Sequence, residues 1–110
     1  SGFNHLIRPM FYDAYHYIDN ISNPAGPLKK YAVVGNICET DTFAWDRKLN
    51  EVRESDYLVF YNAGAYGFEM SSNFNSRLKP AEVLVKDGKP HLIRKRDEFD
   101  DLLKNQVEVL

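Results

Sequence analysis

The stretch Ala81-Glu82-Val83-Leu84-Val85, then Lys86-Asp87-Gly88-Lys89-Pro90, then His91-Leu92-Ile93-Arg94 constrains the fold most. Asp-Gly between two apolar, β-branched runs supplies the positive φ of a tight turn, which predicts a β-hairpin. The same vocabulary recurs along the chain. Tyr31 to Ile37 reads as a strand, entered from Asn23-Pro24-Ala25-Gly26-Pro27, where two prolines and a glycine exclude regular pairing. Asp56 to Tyr61 is apolar enough for burial on both faces, and Phe3 to Ile7 and Ala14 to Ile21 complete the strand set. Arg8-Pro9 interrupts the last two, because proline cannot donate to a ladder. Helix is scarce: Asp97 to Lys104, with Asp97 as N-cap and acids in its first turn, is the best candidate, and short helical turns fit Pro9 to Ala14 and Ala65 to Met70. The expected fold is therefore mainly β, a small barrel or sandwich with short helical turns and a C-terminal helix.

At 110 residues there is room for one modest domain, and 44% hydrophobic residues suffice for a core. A formal net charge of −2 offers no clustered basic face for nucleic acid. The one basic run, Arg94-Lys95-Arg96, leads straight into Asp97, Glu98, Asp100 and Asp101, and reads as a solvated face. A single cysteine makes no internal disulfide, and the cytoplasm is the default location. No apolar run approaches the ~20 residues of a membrane span, and no signal peptide is recognisable. The chain opens on Ser1-Gly2-Phe3 without an initiator methionine, as if cut from something longer.

Four segments go beyond composition. Gly2-Phe3-Asn4-His5-Leu6-Ile7-Arg8-Pro9-Met10-Phe11-Tyr12-Asp13-Ala14-Tyr15-His16 comes first, then Gly35-Asn36-Ile37-Cys38-Glu39-Thr40-Asp41. Asn62-Ala63-Gly64-Ala65-Tyr66-Gly67-Phe68-Glu69-Met70-Ser71-Ser72-Asn73-Phe74-Asn75-Ser76-Arg77 follows, and Lys79-Pro80-Ala81-Glu82-Val83-Leu84-Val85 closes the series. In this order they resemble the late part of the C-terminal domain of diaminopimelate decarboxylases, over nearly the whole chain. The resemblance implies a pyridoxal 5'-phosphate enzyme with an N-terminal (β/α)8 barrel, absent from these residues, that carries the cofactor lysine. It implies that residues 1–110 are an incomplete C-terminal β-barrel, in a homodimer whose active sites are shared between subunits.

The residues make chemical sense of that implication. Meso-diaminopimelate bears an amino acid at each end, so a selective site must hold a distal carboxylate and a distal ammonium while the near end reacts. By resemblance Arg8 and Tyr12 bind substrate; Arg8 offers a planar fork for a carboxylate, and Tyr12 lies four residues on, within reach if Pro9 opens a helical turn. A surface arginine beside a core tyrosine is the plain alternative. Glu39 would pair with the distal ammonium. Cys38 resembles the thiol positioned as general acid after carbon dioxide leaves, whereas a lone cysteine is otherwise a small buried hydrophobe. Tyr66, between Gly64 and Gly67, matches the tyrosine that reaches the cofactor phosphate and the substrate. No metal site is expected, since there is no second thiol and His5, His16 and His91 follow no ligand spacing; these histidines read as structural or surface residues. Phe68, Met70 and Phe74 read as packing, and Asn73 and Asn75 as local backbone partners.

The chain departs from the pattern in places. Gly35-Asn36 stands where Gly-Pro is common, Thr40-Asp41 is one residue shorter than the usual Ser-Gly-Asp, and Asn62 replaces a frequent aspartate. No lysine lies in a Schiff-base context, Lys86 and Lys89 belonging to an exposed hairpin. These residues alone are expected to be inactive. The alternatives are a sister decarboxylase of ornithine, arginine or carboxynorspermidine, and a freestanding β-domain for binding or dimerisation.

Overall fold

The computed structural model describes all residues from Ser1 to Leu110. A short helix, α1 (Arg8–Tyr12), precedes strands β1 (Ile18–Asn20), β2 (Leu28–Val34), β3 (Thr42–Asn50) and β4 (Leu58–Phe60). The hairpin β5 (Glu82–Lys86) and β6 (Lys89–Arg94) and a last helix, α2 (Phe99–Leu103), follow. The strands form three antiparallel two-stranded sheets, β1 with β4, β2 with β3, and β5 with β6. The fold is mainly β, but the barrel is not closed. Every strand has only one paired edge, so closure would need strands that these residues do not supply.

The hairpin follows the local chemistry. Asp87 and Gly88 both have positive φ, 52° and 71°, a two-residue turn that lets Lys86 pair directly with Lys89. Pro90 lies inside β6 opposite Val85 rather than in the turn, on a strand whose other edge is free.

Other expectations are corrected. Phe3 to Ile7 is a turn, not a strand. The N–H groups of His5 and Leu6 both donate to the Gly2 carbonyl, and the Phe3 N–H is taken by the Asp41 carboxylate. Only Ile18–Asn20 of the predicted 14–21 strand pairs, and the 31–37 strand is displaced to 28–34 because Gly35 turns the chain around Asp41. The 56–61 strand shrinks to three half-buried residues. Residues 65–70 do form the expected short helical turns, with the Gly67 N–H donating to the Ala63 carbonyl and the Met70 N–H to the Tyr66 carbonyl. Helix α2 is capped by Glu98 in a reciprocal box with Asp101. Asp97 does not cap, since its carboxylate accepts from the Lys79 N–H and the Asn73 amide instead. The longest strand, β3, carries no strand signal in the sequence reading, because Asp46, Arg47 and Lys48 break its apolar pattern.

The core is small and lies where β1, β2 and β3 meet. Ile18, Val33, Ala44 and Leu49 are buried, with Phe43 and Phe60 packed against them, their two ring centroids 4.8 Å apart. Asn20 is fully buried and satisfied. Its amide donates to the Asn50 and Glu51 carbonyls and to Asp56 Oδ2, and its oxygen accepts from the Ser22 N–H, fastening β1 to the end of β3.

Candidate functional site

Helix α1 is five residues long and owes its start to Pro9, whose fixed φ suits the first turn. It ends where Asp13 adopts a left-handed conformation, φ 58° and ψ 34°, with its N–H returned to the Arg8 and Pro9 carbonyls. One turn of helix brings Arg8 and Tyr12 onto one face, and Arg8 Nε donates to the Tyr12 hydroxyl at 2.7 Å. The guanidinium carbon also stands 3.9 Å from the centroid of the Tyr66 ring, a close cation–π approach. Arg8 Nη1 faces His16 Nε2 at 3.3 Å, and the Tyr12 hydroxyl points to Met70 Sδ at 3.9 Å. Residues 8, 12, 16, 66 and 70 thus form one cluster.

All of Arg8's partners within the chain are neutral. It makes no ion pair, in a protein whose four ion pairs lie elsewhere. One terminal nitrogen, Nη2, has no hydrogen-bond partner. Such a cation has its charge uncompensated within the chain and can pair with an anion.

Tyr66 is also available. The residue is 41% exposed, and its hydroxyl makes no hydrogen bond within the chain. A Cβ added at Gly64 would meet nothing within 4 Å, so open space adjoins the tyrosine, whereas one at Gly67 would lie 3.1 Å from the Ala63 carbonyl. A free phenol beside open space, with a cation against its ring, suits a phosphate-bearing aromatic cofactor such as pyridoxal phosphate.

Cys38 and Glu39 sit on a separate loop. Both are exposed, so the reading of Cys38 as a buried hydrophobe does not hold. Asn75, expected to bond to backbone, instead brings its amide nitrogen to 3.8 Å from Cys38 Sγ. Asn73 does make the expected local bond, to the Arg77 carbonyl at 2.8 Å. Arg77 donates to the Asn36 carbonyl at 3.2 Å, tying the 73–77 segment to the loop. Thr40 has φ 67°, a rare conformation for a β-branched residue, in the very loop that is one residue short. No hydrogen bond, ion pair or ring contact joins Cys38 or Glu39 to Arg8, Tyr12 or Tyr66.

The loop's anchor is Asp41, a residue that sequence reading passed over. Its buried carboxylate accepts from the N–H groups of Phe3 at 2.6 Å and Ile37 at 2.8 Å. A Cβ at Gly35 would lie 2.0 Å from Asp41 Oδ2, so both Gly35 and Gly2 are small because the carboxylate fills their space. Asp41 therefore holds the segment that begins α1 and the segment that carries Cys38 and Glu39 to a common point. Arg47 was also passed over, and His16, read only as a structural or surface residue, is buried beside Arg8. The spacing of His16, four residues after Tyr12 and eight after Arg8, was the available signal.

Residues 1–64 match the family described as pyridoxal-dependent decarboxylase, C-terminal sheet domain. Diaminopimelate decarboxylase from Methanothermobacter thermautotrophicus is 51% identical over 108 residues, covering 96% of this chain and 25% of that protein. The Aquifex aeolicus diaminopimelate decarboxylase is 44% identical over 110 residues, 99% of this chain and 26% of that protein. A crystal structure of diaminopimelate decarboxylase from M. jannaschii in co-complex with L-lysine superposes with a TM-score of 0.89 at 35% identity, over 98% of this chain and 25% of that one. The chain spans about a quarter of the length of the curated relatives it matches.

Proposed function

Since this chain belongs to the pyridoxal-dependent decarboxylases, through their C-terminal sheet domain, we propose that it forms the substrate-facing part of a diaminopimelate decarboxylase. The reaction is the loss of carbon dioxide from meso-2,6-diaminopimelate, with a proton taking its place, to give L-lysine in lysine biosynthesis. The observation that carries this reading is Arg8, a cation stacked on Tyr66 and bonded to Tyr12 and His16, with no carboxylate partner in the chain.

In this reading Arg8 and Tyr12 receive the distal carboxylate. Glu39, exposed and unpaired, takes the distal ammonium. Cys38 Sγ holds the proton delivered to the carbon that carbon dioxide leaves. The Tyr66 hydroxyl contacts the cofactor and the substrate's near end. Pyridoxal phosphate, when bound, supplies the electron sink for decarboxylation. Its lysine lies in an N-terminal (β/α)8 barrel outside these residues. The free strand edges are completed into a closed β-barrel by other strands of the same protein. Two subunits pair so that the Cys38–Glu39 loop and the Arg8 cluster, separate within one chain, meet in a shared site. The enzyme is cytoplasmic; no helix of the chain is long and apolar enough to cross a membrane.

The test uses the full-length protein loaded with pyridoxal phosphate, assayed for lysine. Arg8→Ala is expected to raise KM for meso-diaminopimelate about a hundredfold, since charge-assisted bonds to the carboxylate are lost. Ornithine, which has no distal carboxylate, separates the sister decarboxylases. Turnover of ornithine in preference to diaminopimelate would overturn the substrate assignment.

A further inference from the structure

We infer that His16 is a positioning residue, whose Nε2 lone pair sets the Arg8 guanidinium in the orientation that receives the distal carboxylate. The inference rests on the reading of Arg8 as the carboxylate clamp. His16 is 3% exposed, and its ring is held at both nitrogens. Nδ1 lies 2.8 Å from the Tyr61 carbonyl, which can only accept, so Nδ1 carries the proton. Arg8 Nη1, 3.3 Å from Nε2, can only donate, so Nε2 accepts with its lone pair.

The backbone of His16 is fixed as well. Arg47, from the middle of β3, donates from Nη1 to the His16 carbonyl at 2.6 Å and lies 4.4 Å from the centroid of the Tyr15 ring. The groups around His16 are thus Arg8 and, through it, Tyr12 from α1, Arg47 from β3, and the Tyr61 carbonyl after β4. No carboxylate bonds to the ring.

A neutral acceptor is the suitable choice at this position. An aspartate or glutamate there would orient Arg8 equally well but would compete with the substrate for its charge. An imidazole lone pair directs one N–H and leaves the cation uncompensated, so the Nη2 edge stays open to the ligand.

The experiment compares four variants of the full-length enzyme: His16→Asn, His16→Gln, Arg8→Ala, and His16→Asn combined with Arg8→Ala. Asn at position 16 can keep the bond to the Tyr61 carbonyl but is too short to reach Arg8; Gln can present an oxygen near the Nε2 position. His16→Asn is expected to raise KM for meso-diaminopimelate about tenfold with kcat within about twofold, and His16→Gln to return KM to within about threefold of the parent. Combined with Arg8→Ala, His16→Asn should change KM by less than about twofold, because the group it positions has gone. Equal damage from Asn and Gln, or full additivity with Arg8→Ala, assigns His16 a purely structural role and overturns the inference. If Arg8→Ala raises KM while His16→Asn does not, this inference alone falls. If Arg8→Ala leaves KM unchanged, the clamp reading falls and takes this one with it.

Discussion

The residues up to Leu49 and those after Lys79 solve different problems. Every one of the eleven buried residues lies between Gly2 and Leu49, in or beside α1, β1, β2 and β3. There the apolar side chains pack and the buried polar ones, except Asn4, find partners. The hairpin β5–β6 and α2 bury nothing fully. Val83, Val85, Pro90 and Leu92 alternate onto one face, and Val83, Val85 and Leu92 remain more than half exposed. Phe99 is 66% exposed. The radius of gyration is 16.2 Å, where a compact domain of this length has about 13 Å. The first part makes an interior of its own, while the second carries strand-forming residues whose interior must come from elsewhere. An isolated two-stranded hairpin is at best marginal in water. The contrast weighs against a freestanding module and fits a chain that spans about a quarter of the length of its relatives.

Four measurements on the full-length protein break or sharpen that contrast. Ile18→Ala, at the centre of the small core, should lower unfolding free energy by about 3–4 kcal/mol in a denaturant titration; a loss below about 1 kcal/mol would mean that this core is not what holds the first part. Asn20→Ala should cost about 2–3 kcal/mol, because the Asn50 and Glu51 carbonyls and Asp56 lose their donor inside the fold. Leu92→Lys reads the other side of the comparison. A cost of about 1.5–2 kcal/mol is expected if the rest of the protein covers that face, and no change would show that the hairpin stays exposed.

The smallest effect is a pH dependence. Hydrogen bonds from the Arg53 N–H and the Asn20 amide hold the Asp56 carboxyl below its ordinary range. The Asn73 amide and the Lys79 N–H do the same for Asp97, which ties the chain after β6 to the 73–79 segment that leads into β5. A carboxyl depressed on folding contributes stability above its unfolded pKa of about 3.9, and that contribution is lost as pH falls through the lower folded value. Asp97→Asn should therefore flatten the stability profile below about pH 4 and leave its shape near neutrality unaltered. An unchanged acid limb would remove Asp97 as the tie between the end of β6 and the 73–79 segment.

The site was legible where its residues lie close in sequence. Arg8, Pro9 and Tyr12 state their own geometry, since a proline-started turn places positions i and i+4 together. Gly64, Tyr66 and Gly67 mark a tyrosine with open space beside it. Asp41 and His16 could not be read in this way. The function of Asp41 depends on Phe3 and Gly2, nearly forty residues earlier, and that of His16 on a carbonyl at Tyr61 and an arginine at position 47. The Phe3 to Ile7 error has the same origin. Its alternation matches a strand, and its burial does alternate, but the Phe3 N–H is claimed by a distant carboxylate and the chain turns.

Turn chemistry, helix punctuation and the motif segments are local, so the hairpin at Asp87-Gly88, the start of α1 and the identity of the candidate site residues belong to the sequence alone. Pairing and burial are not local. Tertiary structure alone decided that β3 is the longest strand despite its charges, and that two loops meet at a buried aspartate. Those outcomes turn on which distant backbone donors and acceptors find each other, and a buried group must be satisfied wherever in the chain its partner lies.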